Sequence, residues 1–254
     1  MFSPLSVTLV HGDRDAVLVD PPLTISQAEA VGEWIEASGK NLTHIFITHG
    51  HGDHWFTADL LARQFGAQVV ASAGTIKQMH INVAIRERFW DALFPGQIPD
   101  APVTAVTVPK NRFTLEGHEL VIVEAGHSDT DDTSVLHVPA LELVVAGDVI
   151  YNGVHQFLRE AANGGLEAWR QAIDTVEALH PRWIVTGHKN KELDDDATRA
   201  IAETRQYLDT VDELLPKHDD ALGFFEAMVD RFPERLNPGA LWGGAVALYP
   251  GPVK

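Results

Sequence analysis

The chain of 254 residues contains no cysteine. Disulfides and thiolate ligands are therefore excluded, and any metal site has to be built from histidine and carboxylate. Basic residues are scarce: Lys and Arg total 19 against 36 Asp and Glu, a formal charge of −17 at pH 7. Such a surface repels nucleic-acid phosphates, which are bound through Lys and Arg with release of counterions. It repels anionic membranes for the same reason. No apolar run approaches the roughly 20 residues that span a bilayer. The N-terminus, Met-Phe-Ser-Pro-Leu-Ser-Val-Thr-Leu-Val-His, lacks the basic and long apolar regions of a secretory signal. A soluble cytoplasmic protein without nucleic-acid or membrane partners is the expectation. No Gly-x-Ser-x-Gly elbow occurs, so a serine nucleophile of that kind is missing. No repeat, low-complexity tract or Pro/Gly-rich linker divides the chain, which reads as a single domain over 1–254 with a helical C-terminal extension from about 194.

Histidine, by contrast, is concentrated. Thr48 to Trp55 reads Thr-His-Gly-His-Gly-Asp-His-Trp, with His49, His51, Asp53 and His54 inside six positions. The run before it, Thr43–Ile47, is apolar and partly β-branched, the pattern of a buried strand. Alternate side chains of a strand share a face, so His49 and His51 leave its end aimed at one ion. Asp53 and His54 are out of phase with them; Gly50 and Gly52 free the backbone to turn that pair toward a second ion nearby. Imidazole nitrogen and carboxylate oxygen are donors that zinc accepts.

Elsewhere the pattern alternates strand and helix. Val7–Val10 and Ala16–Asp20 suggest a hairpin, and Thr24–Ser38 a helix capped by Thr24 or Ser26. Helical spacing at Ala58, Leu61, Ala62 and Phe65 ends at Gly66, and Gln68–Ala71 returns as a strand. Thr75–Phe94 is helical; Val103–Val108, Arg112–Leu115 and Glu119–Glu124 read as strands, with a turn at Gly117-His118. Thr133–Val138 and Leu141–Ala146 form another strand pair, Leu166–Leu179 a helix and Trp183–Val185 a last strand. Helices follow over Asp194–Leu215 and Ala221–Phe232. The apolar end, Leu241–Tyr249, has to pack on the body or on a second copy of the chain in a homodimer. Spacing alone supports an α/β fold with a mixed sheet.

The His-x-His-x-Asp-His motif after a strand resembles the signature of the metallo-β-lactamase superfamily, and the resemblance runs to about Lys189. It is carried further by Glu-Ala-Gly-His127-Ser-Asp-Thr, Val-Val-Ala-Gly-Asp148-Val-Ile-Tyr and Ile-Val-Thr-Gly-His188-Lys. The resemblance implies an αββα sandwich of two mixed sheets flanked by helices. It also implies two metal ions, one on His49, His51 and His127, the other on Asp53, His54 and His188, with Asp148 bridging. Each ligand loop follows a strand end, at Thr48, Ala125, Ala146 and Val185. An acidic residue at Asp20 would brace the metal loop through hydrogen bonds.

Two zinc ions so held imply hydrolysis by attack of a metal-bound hydroxide, with Asp53 moving the proton to the leaving group. Iron or manganese fits the same donors. The substrate expected is a small molecule. Tyr151, three residues after Asp148, resembles the tyrosine of lactonases in this superfamily. As a second catalytic residue it would donate to the carbonyl oxygen of an ester or lactone. Hydrolysis of a β-lactam, or of a thioester with Lys189 and Lys191 on the acid, is the alternative. Outside enzymes, a metal-binding interaction protein is the other reading. Asn152 and His155 are candidates for the mouth of the site.

Overall fold

Strand alternation decides the layering. In β2 (Asp15–Val19), Ala16 and Leu18 face one side, Val17 and Val19 the other, and all four are fully buried. A strand buried on both faces needs an apolar layer over each. In this computed structural model, which describes residues 3–100 and 103–249, both layers are present. Ala16 and Leu18 pack with Ala28 and Ile35 of α1 (Ile25–Ser38), Leu61 of α2 (Ala58–Phe65) and Met79 and Trp90 of α3 (Ala73–Leu93). Val17 and Val19 meet the inner face of a second sheet.

The first sheet has the order β1-β2-β3-β4, with β1 (Thr8–His11) antiparallel to β2, and β2, β3 (Asn41–Phe46) and β4 (Gln68–Val70) parallel. The second runs β5 (Arg112–Leu115), β6 (His118–Gly126), β7 (Thr133–Val138), β8 (Leu143–Gly147) and β9 (Trp183–Thr186). It is antiparallel except for the β8–β9 pair. Between the sheets lie Val10, Val17, Val19, Phe46 and Val70 from one side and Phe113, Leu120, Ile122, Leu136 and Val145 from the other.

The outer face of the second sheet repeats the logic. Val144 and Ala146 of β8 point away from Val145 and pack under α4 (Gly165–Glu177), through Trp169 and Ile173. The same core takes in Tyr207 and Leu208 of α5 (Ala197–Leu214), Phe224 of α6 (Ala221–Arg231) and Leu241 of α7 (Pro238–Leu248). Helices, two mixed sheets and helices again make the αββα sandwich. The apolar end near Leu241 is therefore placed on the body, and Tyr249 Oη donates to the Leu215 carbonyl at 2.6 Å.

Local chemistry sets the boundaries. α1 starts on a reciprocal cap in which Thr24 Oγ1 accepts from the Gln27 amide and Gln27 Oε1 accepts from the Thr24 amide. It stops at Gly39 in the left-handed region, φ 66°. The strand expected over Val103–Val108 shrinks to a single bridge between Val106 and Val70. β4 itself pairs over only three residues, so the edge offers little to extend along, and Pro109 ends the segment. The β5–β6 turn falls at Glu116-Gly117, both at positive φ, one residue before the expected place.

Candidate metal centre

The two sheets bring the candidate ligands to one edge. β3 ends at Phe46, and the chain turns through Gly52–His54 as a short 3-10 turn. Gly50 and Gly52 serve close approach here, with neither at positive φ: a Cβ on Gly50 would stand 2.4 Å from Gln78 Cβ, one on Gly52 2.1 Å from the Phe56 ring. β8 delivers Asp148, and β9 delivers His188. Gly187 lets the β9 end close over the site, since a Cβ there would lie 2.3 Å from Asp148 Oδ1 and 2.7 Å from His54 Cε1.

Every one of the five candidate histidines has one ring nitrogen tied outward. Thr48 Oγ1 donates to Asp20 Oδ2 at 2.7 Å, so it has only a lone pair for His49 Nδ1, 2.9 Å away. His49 must then carry its proton on Nδ1. His54 Nδ1 donates to Asp20 Oδ2 at 3.1 Å, His188 Nδ1 to the Pro4 carbonyl at 3.0 Å, and His127 Nδ1 to Asp131 Oδ1 at 2.7 Å. His51 is reversed: its Nε2 reaches Glu160 Oε1 at 3.4 Å and leaves Nδ1 facing inward. An outward N–H bond fixes tautomer and ring orientation and leaves the other nitrogen free to bind a metal.

The inward atoms are bare. Among the described residues, His49 Nε2, His54 Nε2, His127 Nε2, Asp129 Oδ2 and Asp148 Oδ1 are buried with no hydrogen-bond partner, and these are five of seven such side-chain atoms. Buried polar groups are ordinarily satisfied, so a cluster of five marks a place for a missing cation. Their spacing agrees. Asp53 Oδ2 lies 3.8 Å from His54 Nε2 and 3.6 Å from His188 Nε2. Asp148 reaches both of these histidines, Oδ1 at 3.6 Å from His54 and Oδ2 at 3.2 Å from His188. Two donors on one tetrahedral ion, each with a bond of about 2.0–2.2 Å, sit roughly 3.3 Å apart. Asp53, His54 and His188 form one close donor group; His49, His51 and Asp129 form another. The donor chemistry fits divalent ions.

Charges in the metal-free site follow the same arrangement. Burial pushes His54 down, but Asp148, Asp53 and Asp20 outweigh it and raise its pKa to about 10. Burial also works against the Asp148 carboxylate, yet His188 and His54 hold it well below the usual range. Burial, and then the His54 charge, hold His49 well below its ordinary value against the pull of Asp148.

Several candidates sit differently from the sequence expectation. Tyr151 is buried and its hydroxyl donates to Asp148 Oδ2 at 2.7 Å, so the proton assigned to a substrate carbonyl is already committed. His127 joins none of the close donor groups; its bare Nε2 would lie 2.9 Å from a Cβ on Gly165. Asn152 and His155 are buried away from the mouth, Asn152 donating to the Asp194 carbonyl and His155 Nδ1 lying 3.0 Å from Tyr207 Oη. Sequence reasoning overlooked Asp129 and Glu160. Asp129 follows His127 by two residues and could have been found there; Glu160 is 109 residues from His51 and has no sequence signal.

The metallo-beta-lactamase superfamily model matches residues 2–188 of this sequence. The chain belongs to that superfamily. Among curated relatives of this metallo-β-lactamase superfamily member, a UPF0173 metal-dependent hydrolase of Rhizobium etli is 38% identical over 64 residues, 25% of this chain and 27% of that protein. Another from Agrobacterium fabrum is 42% identical over 57 residues, 22% of this chain and 24% of that protein. The chain thus spans about a quarter of the length of the curated relatives it matches. Among solved structures, a metallo-beta-lactamase family protein from Thermus thermophilus aligns with TM-score 0.68 and 17% identity, over 96% of this chain and 86% of that one. A metallo-beta-lactamase from Pontibacter korlensis gives 0.61 and 20%, over 82% and 88%. At these identities the structural likeness speaks for the fold alone.

Proposed function

We propose that the protein is a metal-dependent hydrolase of a carboxylic ester or lactone, working with two zinc ions. The observation that carries this reading is the set of five histidines tied outward, three of them with a bare inward nitrogen, facing buried carboxylates. His49, His51 and His127 would hold one ion and Asp53, His54 and His188 the other, with Asp148 between them. Such a pair of ions supplies a water of lowered pKa and polarises a carbonyl oxygen.

The chain's own groups do the rest. Asp53, whose Oδ2 stands beside both His54 and His188, is placed to accept a proton from the attacking water and return it to the leaving oxygen. Tyr151 orients Asp148 through Oδ2. Asp20 braces His54 directly and His49 through Thr48, whose amide it also accepts at 2.9 Å. Phe157, edge-on to His51 at 5.6 Å, contributes apolar surface beside the donors. A thioester of an anionic carrier is disfavoured because Lys189, which would meet its acid, is paired with Asp195. The strongly acidic composition favours a small neutral substrate over nucleic acid or an anionic membrane.

Elemental analysis of protein purified without chelator is expected to give close to two ions per chain. A panel of lactones, aryl esters, β-lactams, thioesters and phosphodiesters should show turnover on the lactones or esters. Asp53→Ala should abolish it on every class. Turnover retained by that variant with its metals in place would move the proton transfer to another group. A protein that takes up no metal would end the hydrolase reading.

A further inference from the structure

The loop between β6 and β7 carries two residues with metal-binding chemistry, His127 and Asp129, and of the two only Asp129 lies in a close donor group. Asp129 is fully buried, and its Oδ2 lies 2.8 Å from His51 Nδ1 and 3.7 Å from His49 Nε2. Those distances straddle the roughly 3.3 Å between two donors on a tetrahedral ion. Despite the short approach to His51, Oδ2 makes no well-aligned hydrogen bond. The two atoms are near each other without one pointing at the other, as two donors do when they share a third, absent partner. Oδ1 is within 3.1 Å of Ser128 Oγ, so the carboxylate is braced from behind. A buried carboxylate is tolerated when it is paired or coordinates a metal.

We infer that Asp129 is a direct ligand of the first ion, sharing it with His49 and His51. This rests on the two-metal reading above and goes past it, because it changes the donor set. The first ion gains a second carboxylate oxygen beside that of Asp148, which shifts preference toward harder ions such as manganese or iron(II). Glu160 completes the arrangement from outside. It accepts from Thr130 Oγ1 at 2.9 Å and faces His51 Nε2, so it holds both the ring that binds the ion and the loop that carries Asp129.

The test is metal affinity, read without any substrate. Zinc and manganese are titrated into metal-free wild type, Asp129→Asn and Glu160→Gln against a chromophoric chelator. Loss of a partner that only orients a ligand costs about ten- to a hundred-fold in affinity, and Glu160→Gln should fall there. Asp129→Asn should weaken the first ion by more than about a hundred-fold while the second binds as in wild type. A loss of about a hundred-fold or less would overturn the assignment and leave Asp129 as a counter-charge to His51. Far-UV circular dichroism checks that the variant folds; Asp129→Ser, smaller and uncharged, replaces it if it does not, under the same criterion. Failure of wild type to bind two ions would instead refute the two-metal reading, so the outcomes separate.

Discussion

At the scale of single residues, the informative feature is which atom of a side chain is occupied. Tyr151 illustrates it. The sequence places a phenol three residues after Asp148, but only the structure shows that its proton goes to Asp148 Oδ2. Burial, and then Asp148, hold the phenol pKa well above its ordinary value, so it stays a donor throughout the working pH range. Tyr151→Phe keeps the ring, which packs 6.0 Å from Trp169, and removes only the hydroxyl. Metal affinity should fall about ten-fold, as for other groups that orient a ligand. Turnover by the metal-saturated variant should also fall about ten-fold, or 1.4 kcal/mol, on whichever of the lactone and β-lactam probes the parent hydrolyses, and equally where it hydrolyses both. A loss confined to lactones, with metal affinity unchanged, would return the phenol to the substrate. The seven proposed ligand positions are legible from motif resemblance, whereas Asp129, Glu160 and the partner of Tyr151 depend on side-chain directions that no spacing encodes.

At the scale of elements, the segment after β8 is anchored on α5. The Tyr151 amide donates to Thr204 Oγ1 at 3.2 Å, Gln156 Nε2 donates to the Thr204 carbonyl at 3.3 Å, and His155 Nδ1 lies against Tyr207 Oη. Arg235 stacks on the Tyr207 ring at 4.8 Å and donates to the Val154 carbonyl. Burial, aided by the Arg235 charge, lowers the His155 pKa to about 4 from an ordinary 6.5. Since the unfolded chain binds the proton more readily, this contribution is complete above about pH 6.5 and is lost as pH falls toward 4. Between pH 7 and pH 5 the loss is about 2 kcal/mol. Urea unfolding of metal-free protein should show wild type losing that much more stability over this interval than His155→Asn. Equal pH slopes would mean that His155 takes up its proton without leaving its site. The helices α1 to α6 were legible because apolar residues recur at helical spacing there. The span of Val103–Val108 was not, because a β-branched run has the same composition whether it pairs along its length or at one residue.

At the scale of the whole molecule, the site straddles the contact between the two sheets. Asp20, His49, His51, Asp53 and His54 come from the first half, and Asp129, Asp148 and His188 from the second. Protein bonds already cross the seam: the Ser134 amide and hydroxyl both donate to the Thr48 carbonyl, at 2.8 and 2.9 Å. Ions bound there would tie the halves together and stabilise the native state by mass action, each by about 4 kcal/mol at a free concentration a thousand times its Kd. For a chain of this size that corresponds to roughly 10 °C in Tm. Thermal scans at fixed protein concentration, with zinc and then with excess chelator, should show the midpoint rise and fall by that order. An unchanged midpoint would place any bound ion on a surface that neither sheet depends on. The layering was readable from alternation along the strands; the side on which the C-terminal helices close was not, because their apolar faces suit the body and a second copy equally well.

One consequence concerns heredity. Gly187 leaves no room for a methyl group between Asp148 and His54. Any missense change in its codon drives a carbon atom into both, so lineages descending from this gene can vary the chemistry only elsewhere. The loops at 127–132 and 157–160 hold Asp129, Phe157 and Glu160 and contain no glycine of their own. They are where new substrates and new metals can be tried by inheritance while the β9 end stays as it is.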